Sequence, residues 1–106
     1  MVLASHDGRV YLERRPESGI WGGLWCLPEA TPDSADFQPV RELPALEHRL
    51  SHLRLTIEPL LARPAQGRQI ANSAEQGWFS RREQARLGLP KPVSDLLDRL
   101  DKGEFT

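Results

Sequence analysis

Apolar and polar positions alternate along this chain in short bursts, more strand-like than helical. Val2 to Ala4 and Val10 to Leu12 are apolar runs split by His6-Asp7-Gly8-Arg9. Asp-Gly between two such runs predicts a hairpin, because both central turn positions favour positive φ. The second strand should stop at Arg14-Arg15-Pro16, where proline cannot donate to a ladder. From Ser18 to Pro28, Gly19, Gly22 and Gly23 stand among Ile20, Trp21, Leu24 and Trp25. That mixture predicts an irregular, tightly packed loop entering a short strand at Leu24 to Leu27. Residues 29–44 are acidic and carry Pro32, Pro39 and Pro44, so a loop is expected, with at most a short helical turn near Ser34 to Phe37.

Ala45 to Ala62 is the longest strand-like stretch. Within it Leu53, Leu55 and Ile57 alternate with Arg54, Thr56 and Glu58, the period of a half-buried strand. His48 to His52 reads as an adjoining strand or the turn leading into it, and Pro59 suggests an edge position or a bulge. Pro64 to Glu75 lacks periodicity and reads as an exposed loop, followed by a short strand at Gly77-Trp78-Phe79. Ser80-Arg81-Arg82-Glu83 has capping-box spacing, predicting a helix from Ser80 to about Arg86 that Leu87-Gly88-Leu89-Pro90 ends. Pro92 then suits the first turn of a last helix with Val93, Leu96, Leu97 and Leu100 on one face. The expected architecture is a small, strand-rich α+β domain over residues 1–106, closed by C-terminal helices.

Length agrees with that expectation: 106 residues suit one domain with a single modest core. No apolar run approaches the ~20 residues that span a bilayer, and Met1 to Ser5 does not begin a secretory signal. The single cysteine, Cys26, excludes an internal disulfide, a thiolate metal cage and an iron–sulfur cluster held by this chain. Formal net charge is −1, but its distribution is dipolar. Residues 29–47 set Arg41 against five acids, whereas residues 48–86 hold seven arginines and three glutamates. Arginine forks onto phosphate and stacks on bases, so an arginine-rich middle is compatible with DNA contact. Solvation of strand faces and loops explains the same charges equally well.

Few residues invite catalysis. Cys26, between Trp25 and Leu27, reads as a small buried hydrophobe. Ser51 and His52 are sequence neighbours; in a strand they would face opposite ways and could not act as a nucleophile–base pair. His48 and His52 would share a strand face but lie some 13 Å apart at ~3.3 Å per residue. No carboxylate cluster in the sequence completes a metal site beside them. Trp21, Trp25 and Trp78 read as core residues more than as base-stacking platforms, and Gly22-Gly23 alone is weak support for a phosphate cradle.

Trp25-Cys26-Leu27-Pro28 resembles the strand leading into the Nudix box, with Glu29-Ala30 where two glycines are usual. Gly23 and Glu29 keep the first spacing of that box. Phe37-Gln38 stand where Arg-Glu follows, and Arg41-Glu42-Leu43 runs into Pro44-Ala45-Leu46 without the paired glutamates that hold Mg²⁺. The sequence is thus Nudix-like, a small mixed sheet lacking a functional Nudix box. More specifically, Leu12 to Pro28 resembles a signature of the C-terminal domain of MutY-type adenine DNA glycosylases. His48-Arg49-Leu50-Ser51-His52-Leu53-Arg54-Leu55 is similar to that family's Phe-Ser-His loop and the strand after it. Gly77-Trp78-Phe79 and Leu89-Pro90-Lys91-Pro92-Val93 match the remaining landmarks in order.

The resemblance implies recognition of 8-oxoguanine paired with adenine in duplex DNA, by a non-catalytic part of a bacterial, cytoplasmic repair enzyme. Catalysis would belong to a separate N-terminal domain with its own iron–sulfur cluster, and the chain would be a fragment of that parent. Carried over residue by residue, Ser51 contacts the Hoogsteen edge of the lesion. Oxidation converts a ring acceptor there to a donor and adds a carbonyl, and a hydroxyl can serve both. Leu50 stands where the family has phenylalanine, able to wedge apolar bulk between bases but not to stack a π face. His52 would contact base or phosphate, and His48, Arg49 and Arg54 are the backbone candidates. Two other readings remain: a diverged Nudix hydrolase of nucleoside diphosphate derivatives, and a protein-interaction module on the same scaffold.

Overall fold

The computed structural model describes residues 1–29, 37–65 and 72–105. Eight strands precede two helices: β1 (Val2–His6), β2 (Arg9–Arg14), β3 (Trp25–Cys26), β4 (Phe37–Glu42), β5 (Leu46–Leu50), β6 (Leu53–Ile57), β7 (Leu60–Pro64), β8 (Gln76–Ser80), α1 (Arg81–Gln84) and α2 (Lys91–Asp101). Six strands form one mixed sheet in the order β3-β2-β1-β7-β4, with β8 also paired to β2. The β1–β7 pair is parallel and the other pairings are antiparallel. β5 and β6 form a separate two-stranded sheet.

The unbroken apolar runs of β1 and β2 follow from a sheet that is covered on both faces. Leu3, Val10 and Leu12 point into the main core with Cys26, Leu27, Leu43 and the α2 residues Val93, Leu96 and Leu97. Val2, Ala4 and Tyr11 point the other way, into a smaller cluster with Ala62 that Phe37 and Trp78 flank. The Asp7-Gly8 turn closes β1 on β2 with φ values of 51° and 76°, the left-handed pair that the sequence demands. The capping box is also formed: the Ser80 hydroxyl accepts from the Glu83 N–H, and the Glu83 carboxylate accepts from the Ser80 N–H. α1 nevertheless ends at Gln84, two residues before the expected stop, and a turn covers 85–87. Burial pushes the Cys26 thiol above its ordinary value of 9.0, in keeping with a packing role.

The proline-rich acidic stretch is not all loop. Phe37 to Glu42 forms edge strand β4, antiparallel to β7, with a register shift between Pro39 and Arg41. An edge strand bonds through one side only, so Pro39 can be accommodated there at an irregularity. The helical turn expected near Ser34 falls largely outside the described residues, and Phe37 itself begins the strand. The third strand is shorter than expected, Trp25–Cys26 only. Pro59 is neither an edge nor a bulge residue; it is buried in the link between β6 and β7.

Candidate nucleic-acid interface

The β5–β6 hairpin brings Arg49, Leu50, Ser51, His52 and Arg54 to one exposed tip, and leaves His48 below it. Its register pairs Leu46 with Ile57, Glu47 with Thr56, His48 with Leu55, Arg49 with Arg54 and Leu50 with Leu53, leaving Ser51-His52 as the turn. Strand alternation therefore sorts the hairpin into two faces. Glu47, Thr56, Arg49 and Arg54 share the outer face and all are exposed. Leu46, Ile57, His48, Leu55, Leu50 and Leu53 share the inner face, on which burial fades outward from Ile57, 5% exposed, to Leu53, 46% exposed.

Two contacts anchor this hairpin. Leu46 packs on the main core at its base. Higher up, the His48 ring lies 6.0 Å from the Trp21 indole. Trp21 belongs to the glycine loop, which is tied down by its own hydrogen bonds. Gly23 donates to the Arg15 and Pro16 carbonyls, Leu24 donates to the Trp21 carbonyl, and Arg15 Nε donates to Ile20. Trp21 has φ 58°, a left-handed conformation uncommon for a bulky residue. A Cβ on Gly22 would fall 2.2 Å from the Glu17 carbonyl oxygen, so only glycine fits that turn. The glycine loop is thus a support for the hairpin, not a phosphate cradle, and Trp21 is half-buried.

Several expectations change here. Ser51 and His52 are turn residues, so neither lies on a strand face, and the proposed 13 Å strand relation between His48 and His52 does not apply. His48 is turned toward Trp21, away from the face that carries Arg49 and Arg54. Leu53, expected to be half-buried by its period, stands out at the tip as the partner of Leu50. The alternation in sequence assigned its face correctly but not its depth. Leu50, Ser51, His52, Leu53, Arg49 and Arg54 line one open depression of about 290 Å³.

The tip has a chemistry suited to nucleic acid. Two leucines give apolar bulk, a hydroxyl and an imidazole crown it, and two guanidinium groups flank it. Directly opposed residues in an antiparallel pair have Cβ atoms about 5 Å apart, and like charges there are destabilising. No ion pair or hydrogen bond to Arg49 or Arg54 occurs among the described contacts. A buried-charge or core role therefore explains neither arginine, whereas a polyanion would neutralise both. Among the described residues, no group of three or more His, Cys, Asp or Glu lies close enough to hold a metal ion, and no helix is long and apolar enough to cross a membrane.

Known proteins share this fold. The NUDIX domain family matches residues 1–99. An adenine DNA glycosylase of Buchnera aphidicola subsp. Baizongia pistaciae is 23% identical over 95% of this chain and 32% of its own length. A second, from the subspecies Acyrthosiphon pisum, is 23% identical over 98% of this chain and 33% of its own. The chain therefore spans about a third of the length of these curated relatives. The C-terminal domain of mouse MUTYH, solved in complex with human PCNA, superposes with a TM-score of 0.58 at 16% identity, covering 97% of this chain and 84% of that one. That likeness shows the shared fold.

Proposed function

Because the chain belongs to the NUDIX domain family, we propose that it uses this scaffold to recognise 8-oxoguanine opposite adenine in duplex DNA, as the specificity domain of an adenine DNA glycosylase in base excision repair. The observation that carries the reading is the position of Ser51 and His52, alone in the turn of an exposed hairpin. Leu50 and Leu53 stand immediately behind them as an apolar pair, and Arg49 and Arg54 stand behind those as a basic pair. The leucines enter the base stack beside the lesion, which replaces one flat aromatic wedge by two smaller ones. Ser51 then reads the oxidised Hoogsteen edge, accepting from the ring N–H and donating to the added carbonyl. Arg49 and Arg54 hold backbone phosphates and set the hairpin's register without reading sequence.

Adenine excision belongs to a separate catalytic domain of the parent enzyme, the second partner of this chain. The iron–sulfur cluster assigned to that parent has no ligand set here, since the sole cysteine is buried in the core. The test is binding of the 106-residue chain to matched duplexes carrying 8-oxoguanine:adenine or guanine:adenine, at fixed salt. One neutral hydrogen bond should favour the lesion by roughly 2- to 12-fold. Equal affinity for both duplexes would overturn the reading. A protein-interaction module is the second reading, favoured by the complex in which the mouse domain was solved, and it predicts that equality. Mg²⁺-dependent hydrolysis of 8-oxo-dGTP by the pure chain, lost in Glu29→Gln, would instead point to a Nudix hydrolase.

A further inference from the structure

The cations of the arginine-rich stretch do not fold into one patch. Arg63 Nε donates to the Gln38 side-chain amide oxygen, Oε1, at 3.3 Å on the edge of the sheet. Arg81 is tied to Asp98, lies 3.9 Å from Asp101 and donates to Gln84 at 3.2 Å. Arg82 and Arg86 behave differently. Both are exposed, and neither guanidinium has a direct ion-pair or hydrogen-bond partner among the described contacts. Arg9, from outside that stretch, joins them. It opens β2 directly opposite Ser80, the residue that caps α1.

Glu83 links Arg9 and Arg86. Its carboxyl is held below the usual carboxylate range first by the Ser80 backbone N–H and hydroxyl, and then by the nearby charges of Arg9 and Arg86. Glu83 is committed to the Ser80 N–H at 2.8 Å, so Arg9 and Arg86 stand near a carboxylate that is already bonded, and Arg82 precedes that carboxylate in α1. Asp98 and Asp101, the neighbouring acids on α2, face Arg81. Arg81 is held by direct partners, whereas no direct side-chain ion pair or hydrogen bond to Arg9, Arg82 or Arg86 occurs among the described contacts.

This patch lies far from the hairpin tip. The hairpin joins the body at the start of β1, where the Met1 amino group donates to Glu58 and Leu60 donates to Met1. Arg9 pairs with His6 at the other end of that strand. Five residues of strand separate the hairpin's junction from Arg9, ~16 Å at ~3.3 Å per residue. Along one DNA strand that is about five phosphates.

We propose that Arg9, Arg82 and Arg86 form a second phosphate-binding surface, which takes the DNA backbone well away from the lesion. A protein partner fits the patch less well, because protein interfaces centre on large apolar anchors with charge at the rim. The exposed large hydrophobics of the described chain are Ile20, Val40 and Leu53, and none belongs to β8 or α1. What the patch offers is forked cationic donors, the chemistry of phosphate recognition.

The experiment compares the 106-residue chain with an Arg82→Gln/Arg86→Gln double variant. Binding to a ~20-base-pair duplex, undamaged or carrying 8-oxoguanine:adenine, is followed by fluorescence anisotropy between about 50 and 200 mM salt. Loss of two phosphate contacts should lower the slope of log K against log salt by about two units on both duplexes, leaving their affinity ratio unchanged. Arg82→Lys/Arg86→Lys keeps the charge and should restore most of the slope, which separates lost contacts from lost folding. An unchanged slope, a loss confined to the damaged duplex, or no measurable binding to undamaged duplex would overturn the proposal. The lesion reading fails by a different result, equal affinity of the unaltered chain for the two duplexes.

Discussion

Two hairpins in this molecule are closed by two-residue turns, and they are built for opposite ends. β1–β2 turns through Asp7-Gly8, both left-handed, the geometry whose twist matches the flanking strands. Its side chains Leu3, Val10 and Leu12 on one face and Val2, Ala4 and Tyr11 on the other are all buried. β5–β6 turns through Ser51-His52, neither of which has positive φ, so the turn belongs to a family that splays its strands. Its outer face opposes two arginines and its tip exposes a leucine. The first hairpin is optimised to be part of the body. The second carries several local costs in one place, each at a residue whose chemistry suits a nucleic acid.

The largest difference should appear in the apolar residues. Leu12→Ala opens a cavity in a fully buried site and should cost about 2–5 kcal/mol of stability in urea unfolding. Leu53→Ala removes a side chain that is 46% exposed and should cost under ~0.5 kcal/mol, while weakening binding to duplex DNA. If Leu53→Ala destabilises as much as Leu12→Ala, the hairpin tip is core and the contrast collapses.

Exchanging the turns is the next test. Gly8→Ala meets no atom within 4 Å, so its cost is conformational alone, about 1–2 kcal/mol for a left-handed residue with a Cβ. Ser51→Asn/His52→Gly should do the reverse, holding or raising the unfolding midpoint because Asn-Gly suits a two-residue hairpin. The same double variant should lose preference for 8-oxoguanine. A falling midpoint would mean that Ser51-His52 serves the fold after all.

What the sequence made legible follows from how local each cause is. The Asp7-Gly8 turn, the Ser80–Glu83 cap and the buried face of α2 are set by residues within a few positions of one another, and all were readable. β4 was not, because Pro39 and the exposed Gln38, Val40 and Arg41 give no alternation of apolar residues. Its strand state comes from β7, some 20 residues later in the chain. The place of Ser51 and His52 was legible through family resemblance, but the Arg49–Arg54 opposition needed the register of the hairpin. The run of arginines misled for the same reason. Contiguity grouped cations that the fold sends to the hairpin, to Gln38, to Asp98 and to the far end of β1.

Ser51→Ala is the sharper probe of recognition itself. An exposed turn hydroxyl contributes little to stability, so the unfolding midpoint should hold within ~0.5 kcal/mol. Preference for 8-oxoguanine over guanine should fall by about 0.5–1.5 kcal/mol, the worth of one neutral hydrogen bond. His52→Ala run alongside separates the imidazole's share. Unaltered discrimination in Ser51→Ala would remove the serine from the reading and leave Leu50, Leu53 and His52.

The smallest expected effect tests the most specific element of the contrast, the opposed arginines. Arg49 and Arg54 face each other across the hairpin with no described partner, so one of them works against folding. Replacing Arg54 by threonine removes the like-charge pair and introduces a β-branched residue suited to a strand. Arg54→Thr should therefore gain about 0.2–1 kcal/mol in unfolding, and the gain should shrink as salt screens the repulsion in the parent chain. DNA binding should move the other way, with the salt slope reduced by about one unit on damaged and undamaged duplexes alike. Lesion preference should stay where it was, because a phosphate contact carries no base information. Together those outcomes would show stability given up at Arg54 for backbone binding. Loss of stability in Arg54→Thr would mean that the guanidinium supports the hairpin, and the opposed pair would no longer mark a functional surface.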